Sequence, residues 1–209
     1  MLWDYLPQFM LAWSIQLVGV VSPGPSVMLI LGVAMERGRG SALGTAFGVA
    51  CGSMTLSIAT VLGLSIVFAK LAYAMEIVRF LGAGYLFFLA LKSFAKVVNP
   101  PPLKAAASAP GSLRRQAAAG YILQVSNPKA ILFWLAIAGV GGVGDAPAAI
   151  IPVFVLGSFL LSFAGHGAYA LLLSSGVVRA GLTRFRRVVE ATLGGFFIFA
   201  GVKLLTAKV

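Results

Sequence analysis

Long apolar runs, separated by short basic or glycine- and proline-rich turns, divide the chain. A helix needs about 20 mostly apolar residues to cross the ~30 Å hydrocarbon layer. Six runs reach or approach that length: 6–35, 42–68, 73–92, 118–140, 147–173 and 188–205. Arg79 interrupts the third near its start, leaving 80–91 as its clean apolar core, and the sixth ends at Lys203. Long basic side chains reaching the interface keep both as spans. Alternation at barrel spacing is absent, so the pattern predicts helices and not a transmembrane barrel. Met1-Leu2-Trp3-Asp4 lacks a basic region before the first run, which reads as a span and not as a cleaved leader.

Segment 93–117 carries Asn99-Pro100-Pro101-Pro102, Pro110 and Gly111. Prolines and small residues of this kind mark a join. The expected organisation is a single transmembrane domain over 1–209, with a first three-helix half at 1–92, a linker at 93–117 and a second three-helix half at 118–209. Three spans per half force the halves into opposite orientations, so any repeat is inverted. Aligning 78–92 with 189–203 matches Gly84 with Gly195, Tyr85 with Phe196, Phe88 with Phe199 and Lys92 with Lys203.

Two spans carry helix breakers at corresponding places. The first contains Ser22-Pro23-Gly24-Pro25-Ser26, and the fourth contains Ser126-Asn127-Pro128-Lys129. Proline removes an amide donor and clashes with the preceding turn, while glycine loosens the backbone. Pro23 and Pro128 each lie 12 residues before the end of their span, about 18 Å at ~1.5 Å per residue, which is near the midplane. The expectation is an all-α membrane protein of six transmembrane helices, two inverted three-helix repeats, with the first and fourth helices broken. Freed backbone groups at that depth must line a cavity or be covered by protein. Half-helix N-termini suit a carboxylate. Paired interruptions in two halves point to a transporter binding site, whereas two simple proline kinks are the alternative reading.

Composition agrees with a membrane chain: 60% hydrophobic, 10% charged and a mean hydropathy of +1.00. Soluble domains run near 25% charged. The net charge of +11 is asymmetric in its placement. Turns after the first, third and fifth spans hold eleven of the sixteen basic residues: Arg37, Arg39, Lys92, Lys96, Lys104, Arg114, Arg115, Arg179, Arg184, Arg186 and Arg187. Lys70, Arg79, Lys203 and Lys208 lie on the other side, and Lys129 lies within a span. The positive-inside rule puts the eleven in the cytoplasm and both termini outside. The charge then faces anionic lipid, and no nucleic-acid partner is implied.

Ser22-Pro23-Gly24-Pro25, the glycine-spaced second span after Arg37-Gly38 with its Leu62-Gly63-Leu64 ending, Leu81-Gly82-Ala83-Gly84-Tyr85-Leu86, and Asn127-Pro128-Lys129-Ala130 occur in that order. In order, spacing and total length, nearly the whole chain resembles the lysine exporter/homoserine–threonine resistance (LysE/RhtB) family of small exporters. The resemblance implies export of amino acids or related small metabolites across a bacterial cytoplasmic (inner) membrane, driven by the proton gradient. It maps family motif residues onto Pro23, Gly24, Pro25, Asn127, Pro128 and Lys129. One departure concerns the second span, where some relatives carry an acidic or amide residue and this chain has Gly52-Ser53-Met54-Thr55.

Among polar residues inside the spans, Lys129 is the most informative. A lysine near mid-bilayer costs roughly 2.5–3.5 kcal/mol on insertion scales, so it is expected to face the interior. It either pairs with a substrate carboxylate or moves a proton; a lysine snorkelling to the cytoplasmic interface is the alternative. His166, the only histidine, has an unperturbed pKa suited to a proton carrier. The favoured reading is structural, a hydrogen bond to a helix carbonyl. Lys129 and His166 are therefore the proton-coupling candidates. Gln16, Gln124, Ser126 and Asn127 offer neutral hydrogen bonds, to substrate or to neighbouring helices. The expected substrate-binding set is Ser22, Pro23, Gly24, Pro25, Ser26, Gln124, Ser126, Asn127, Pro128 and Lys129.

All five acids, Asp4, Glu36, Glu76, Asp145 and Glu190, sit at span ends or in loops, which slightly favours a neutral amino acid over a cationic one. Gly44, Gly48 and Gly52 recur every four residues, a helix-packing stripe within the chain or at a homodimer face. Trp3, Tyr5 and Trp13 are expected in the outer interface belt. No cofactor and no metal site is expected: one cysteine, one histidine and no mid-span carboxylate make a poor ligand set. Three other functions remain: a thiol–disulfide carrier, which Cys51 alone cannot support; a heavy-metal resistance exporter, short of soft ligands; and a non-transporting scaffold, in which broken helices have no purpose.

Overall fold

A computed structural model describes residues 2–22, 24–70, 74–99, 111–138, 143–172 and 175–206. These form seven helices: α1 (Leu2–Val21), α2 (Pro25–Lys70), α3 (Ala74–Val98), α4 (Leu113–Ser126), α5 (Pro128–Ala138), α6 (Ile151–Leu172) and α7 (Gly176–Thr206). No strand occurs among the described residues. The expected break in the first run falls between α1 and α2, and the expected break in the fourth lies between α4 and α5, which meet at 56°. The middle of the expected linker, 100–110, lies outside the described residues.

One boundary differs from the sequence pattern. The turn expected between the first two runs is a single residue: α2 continues from Pro25 to Lys70 with its only non-helical backbone at Gly38 (φ 79°, ψ −179°). A positive φ is strained for any residue with a Cβ, so glycine lets the chain kink here without a loop. By length and composition, 25–63 of α2 and all of α6 are able to cross a membrane, and the bent α4–α5 pair makes a third such stretch.

Helix contacts follow small residues. The most extensive interfaces are α2 with α4, α2 with α6, and α3 with α7. Gly44, Gly48 and Gly52 all face α4: Gly48 lies against the Ala117 backbone, and a Cβ at Gly52 would sit 2.7 Å from Gln124 Cβ. Gly120 returns the contact, close to the Thr45 carbonyl. On the other side of α6, Gly157 receives the Trp13 ring and Gly165 receives Val20, both from α1. Trp13 is thus a packing residue, with Nε1 donating to Phe154 O (3.3 Å) and Ser158 Oγ (3.2 Å). Trp3, by contrast, is exposed.

A core of Phe9, Leu86, Phe133, Trp134, Phe154 and Phe197 joins α1, α3, α5, α6 and α7. Many large apolar residues face outward, among them Leu62, Leu91, Leu156 and Phe199. A soluble monomer rarely exposes so much apolar surface, whereas lipid tails solvate it without cost. In lipid the apolar effect does not drive helices together, so close packing and buried hydrogen bonds hold this arrangement.

Candidate functional site

The two breaks lie side by side, joined by one lysine. Pro25 and Pro128 each open a helix, the position where a missing N–H is harmless and the fixed φ suits the first turn. The preceding carbonyl accepts the first helical bond in both: Met28 N–H donates to Gly24 O (2.9 Å), and Ile131 N–H donates to Asn127 O (3.0 Å). Asn127 also caps α5 with its side chain, Oδ1 accepting the Lys129 N–H at 3.0 Å. Pro25 and Pro128 are thus the prolines that open the helix after each break. Pro23 lies outside the described residues.

Lys129 crosses from the start of α5 to the end of α1. Its Nζ donates to Ser22 O (2.5 Å) and Gly19 O (3.2 Å). Gly19 O belongs to the last turn of α1 and Ser22 O to the residue just past it, where orphan acceptors and the negative dipole end favour a cation. Tyr169 OH donates to the neighbouring Val21 O (2.6 Å). The lysine stem runs over Gly24, where a Cβ would lie 3.1 Å from Cδ and from Nζ. The Phe133 ring centroid is 5.8 Å from Nζ, within cation–π range. An ammonium group has three donors, and the carbonyls occupy two.

A polar chain continues from the break into the helices. Ser26 Oγ donates to Gln124 Oε1 (2.8 Å), and Gln124 Nε2 donates to Ser53 Oγ (3.0 Å). Ser53 and Ser162 share a hydroxyl–hydroxyl bond of 3.0 Å. His166 Nδ1 lies 2.9 Å from Ser162 O. A carbonyl only accepts, so Nδ1 carries the proton, and in the neutral ring Nε2 is the acceptor. Each of these side chains is at most 6% exposed. Ser126 does not join them: its hydroxyl bonds back to Ile122 O (2.7 Å) on an exposed face.

Two adjoining cavities share this wall. The inner one, about 40 Å³, is bounded by Ser22, Gly24, Ser26, Gln124, Asn127 and Lys129, with Gln16, Ser53 and His166 further in. It has room for a few waters and less than an amino acid needs. The outer one, about 400 Å³, takes in Pro25, Pro128 and Lys129 and follows α3 from Tyr85 to Lys92 and Lys96. That volume lies in the range of small-molecule sites. Of the sequence-selected residues that are described, all but Ser126 border one cavity or the other.

Sequence reasoning passed over three features. Ser162 and Ser53 carried no distinguishing signal, since a serine in an apolar helix is common. Lys92 and Lys96 were read as topology signals, yet they border the outer cavity. Glu190, read as a span-end acid, is completely buried and pairs with Lys96 at 3.2 Å. Its Oε2 has no hydrogen-bond partner among the described residues. Among the described residues no group of three or more His, Cys, Asp or Glu is placed to hold a metal ion.

Comparison with known proteins bears on the same chain. A family model described as LysE type translocator matches residues 17–208. The threonine efflux protein of Salmonella typhi is 27% identical over 203 residues, covering 93% of this chain and 95% of its own length. The threonine efflux protein of Escherichia coli (strain K12) is 25% identical over 209 residues, covering 96% and 98%. An uncharacterized membrane protein of Pseudomonas aeruginosa is 27% identical over 195 residues, covering 90% of each chain. No solved structure matches the chain.

Proposed function

This chain belongs to the LysE type translocator family and is a membrane transporter, not an enzyme; from that premise we propose that it exports a small amino acid or related metabolite, by proton antiport and alternating access. The substrate carboxylate docks where the two breaks meet, beside the Nζ of Lys129. The observation that carries this reading is the position of Lys129: one cation, with a donor to spare, in the wall common to both cavities. Threonine efflux relatives support a neutral amino acid as cargo.

Six spans in two inverted halves fit the packing. In this reading α1, the first part of α2, the second part of α2, and α3 correspond to α4, α5, α6 and α7. Contacts then pair across a pseudo-twofold axis: α2 on α4, the more extensive, answers α1 on α6, while α2 on α6 and α3 on α7 would lie on the axis. Among the described residues, the pairing of α3 with α5 has no comparable counterpart between α7 and α2. One-sided contact of this kind is what a repeat held in one of two alternating states produces. The Lys92 and Lys96 end of the outer cavity faces the cytoplasm by the positive-inside rule, and both termini lie outside. The membrane is the bacterial inner membrane.

Substrate enters along α3, reaches Lys129, and leaves outward as the halves rock and a proton returns through Lys129 or His166. Everted membrane vesicles test this. Amino-acid uptake should appear on expression and collapse with an uncoupler. Uptake that persists without a proton gradient contradicts the antiport.

A further inference from the structure

Gln16 holds a feature of the inner cavity wall that the docked carboxylate leaves unexplained. It projects from α1 and is 6% exposed. Its Nε2 donates to Ser158 O on α6 at 2.8 Å. Since that carbonyl only accepts, the amide cannot be turned over, and Oε1 is fixed as the remaining acceptor. Oε1 has no hydrogen-bond partner among the described residues. A buried acceptor left unpaired costs about 1–3 kcal/mol. Packing does not require that cost here, because an apolar residue of the same length would fill the space. The same reasoning left His166 Nε2 as an acceptor, and His166 borders the same cavity.

The cavity wall is therefore divided by chemistry. At the breaks it offers a cation and hydroxyl groups. Further in, on α1 and α6, it offers two acceptors, Gln16 Oε1 and His166 Nε2, the first without a hydrogen-bond partner among the described residues. Among the described residues no carboxylate borders the inner cavity. A ligand with an anionic end and a donor-rich end fits this order, and a plain carboxylate does not.

We propose that Gln16 Oε1, with His166 Nε2 as second acceptor, receives the ammonium group of the substrate while Lys129 takes its carboxylate. This rests on the exporter reading and adds a subsite that makes the transporter selective for amino acids over organic acids of the same shape. The cavity must widen to admit such a molecule, so Oε1 finds its partner only when α1 and α6 part around substrate. Gln16 is then a specificity-determining residue.

The test uses the full chain in everted vesicles. Each of the proteinogenic L-amino acids is offered against its des-amino carboxylate, for threonine the pair L-threonine and 3-hydroxybutyrate. The wild type should prefer the amino acid by about 10- to 100-fold, the value of one hydrogen bond to a charged group. Gln16→Met should lose that preference, and Gln16→Glu, whose protonated carboxyl keeps both the donor to Ser158 O and the acceptor, should retain it. Gln16→Glu also covers the case in which the methionine variant fails to assemble: loss of preference there overturns the subsite. Equal uptake of both partners by the wild type, or an unchanged preference in Gln16→Met, overturns the subsite while export stands. Absence of amino-acid uptake altogether overturns the exporter reading and this assignment with it.

Discussion

Ser26 and Lys129 are each the residue after a helix-opening proline, and each crosses to the other break: Ser26 Oγ to Gln124 on α4, Lys129 Nζ to Gly19 O and Ser22 O at the end of α1. The exchange ties the first half-helix of each run to the second half-helix of the other. It also sets the asymmetry of the site, because one crossing residue is neutral and the other is a cation. A charge placed at the end of α1 satisfies that helix and remains able to meet an anion.

Lys129→Met removes this charge without removing bulk. Uptake should fall by about 10- to 100-fold, the value of a lost charge-assisted hydrogen bond, while the protein still inserts and elutes as one species in detergent. Unimpaired uptake would mean that the lysine only closes the end of α1.

Gly24 is small because the lysine stem lies over it. Gly24→Ala puts a Cβ 3.1 Å from Cδ and Nζ, so the side chain must shift by a few tenths of an ångström. Substrate affinity should weaken by about 10-fold, with stability reduced by no more than ~1 kcal/mol because the flexible stem gives way. Titration of transport against substrate concentration, beside thermal unfolding, separates the two effects.

Much of this was legible in the sequence because proline and glycine act locally. Pro128 has no amide to donate and fixes its own φ, so the break before it is readable from the chain alone. The kink at Gly38 was less readable: glycine signals a change of direction without telling a loop from a single strained residue. Burial was the least readable. In an apolar helix both lipid-facing and core positions are hydrophobic, so Phe197, fully buried, and Phe199, exposed, look alike. For the same reason the sequence could not turn Trp13 inward, separate the inward Gln124 from the outward Ser126, or bury Glu190.

Glycine contacts give a stability prediction with a built-in control. Gly48 sits on the Ala117 backbone, which cannot rotate away, so Gly48→Ala must push α2 and α4 apart. A loss of about 1–3 kcal/mol is expected. Gly195→Ala meets nothing within 4 Å and should stabilise α7 by up to ~1 kcal/mol through helix propensity. Unfolding in detergent should order the variants as Gly195→Ala, wild type, Gly48→Ala.

The Glu190–Lys96 pair should respond unequally to its two truncations. Lys96→Met leaves a fully buried carboxylate without its cation and should cost about 3 kcal/mol. Glu190→Gln leaves a lysine that is 28% exposed and able to turn to water, so it should cost less. The double variant should recover part of the loss of Lys96→Met. Equal costs for both single variants would show that the pair behaves as a surface contact.

Occupation of the junction by substrate can be read from one engineered thiol. Cys51 is the sole cysteine, so Cys51→Ala gives a clean background, and Ser22→Cys places a thiol in the shared wall of both cavities. The rate of alkylation by a small maleimide should drop several-fold when the transported amino acid is present, and its des-amino carboxylate should protect less. A rate indifferent to every transported amino acid would contradict a binding site at the meeting of the two breaks.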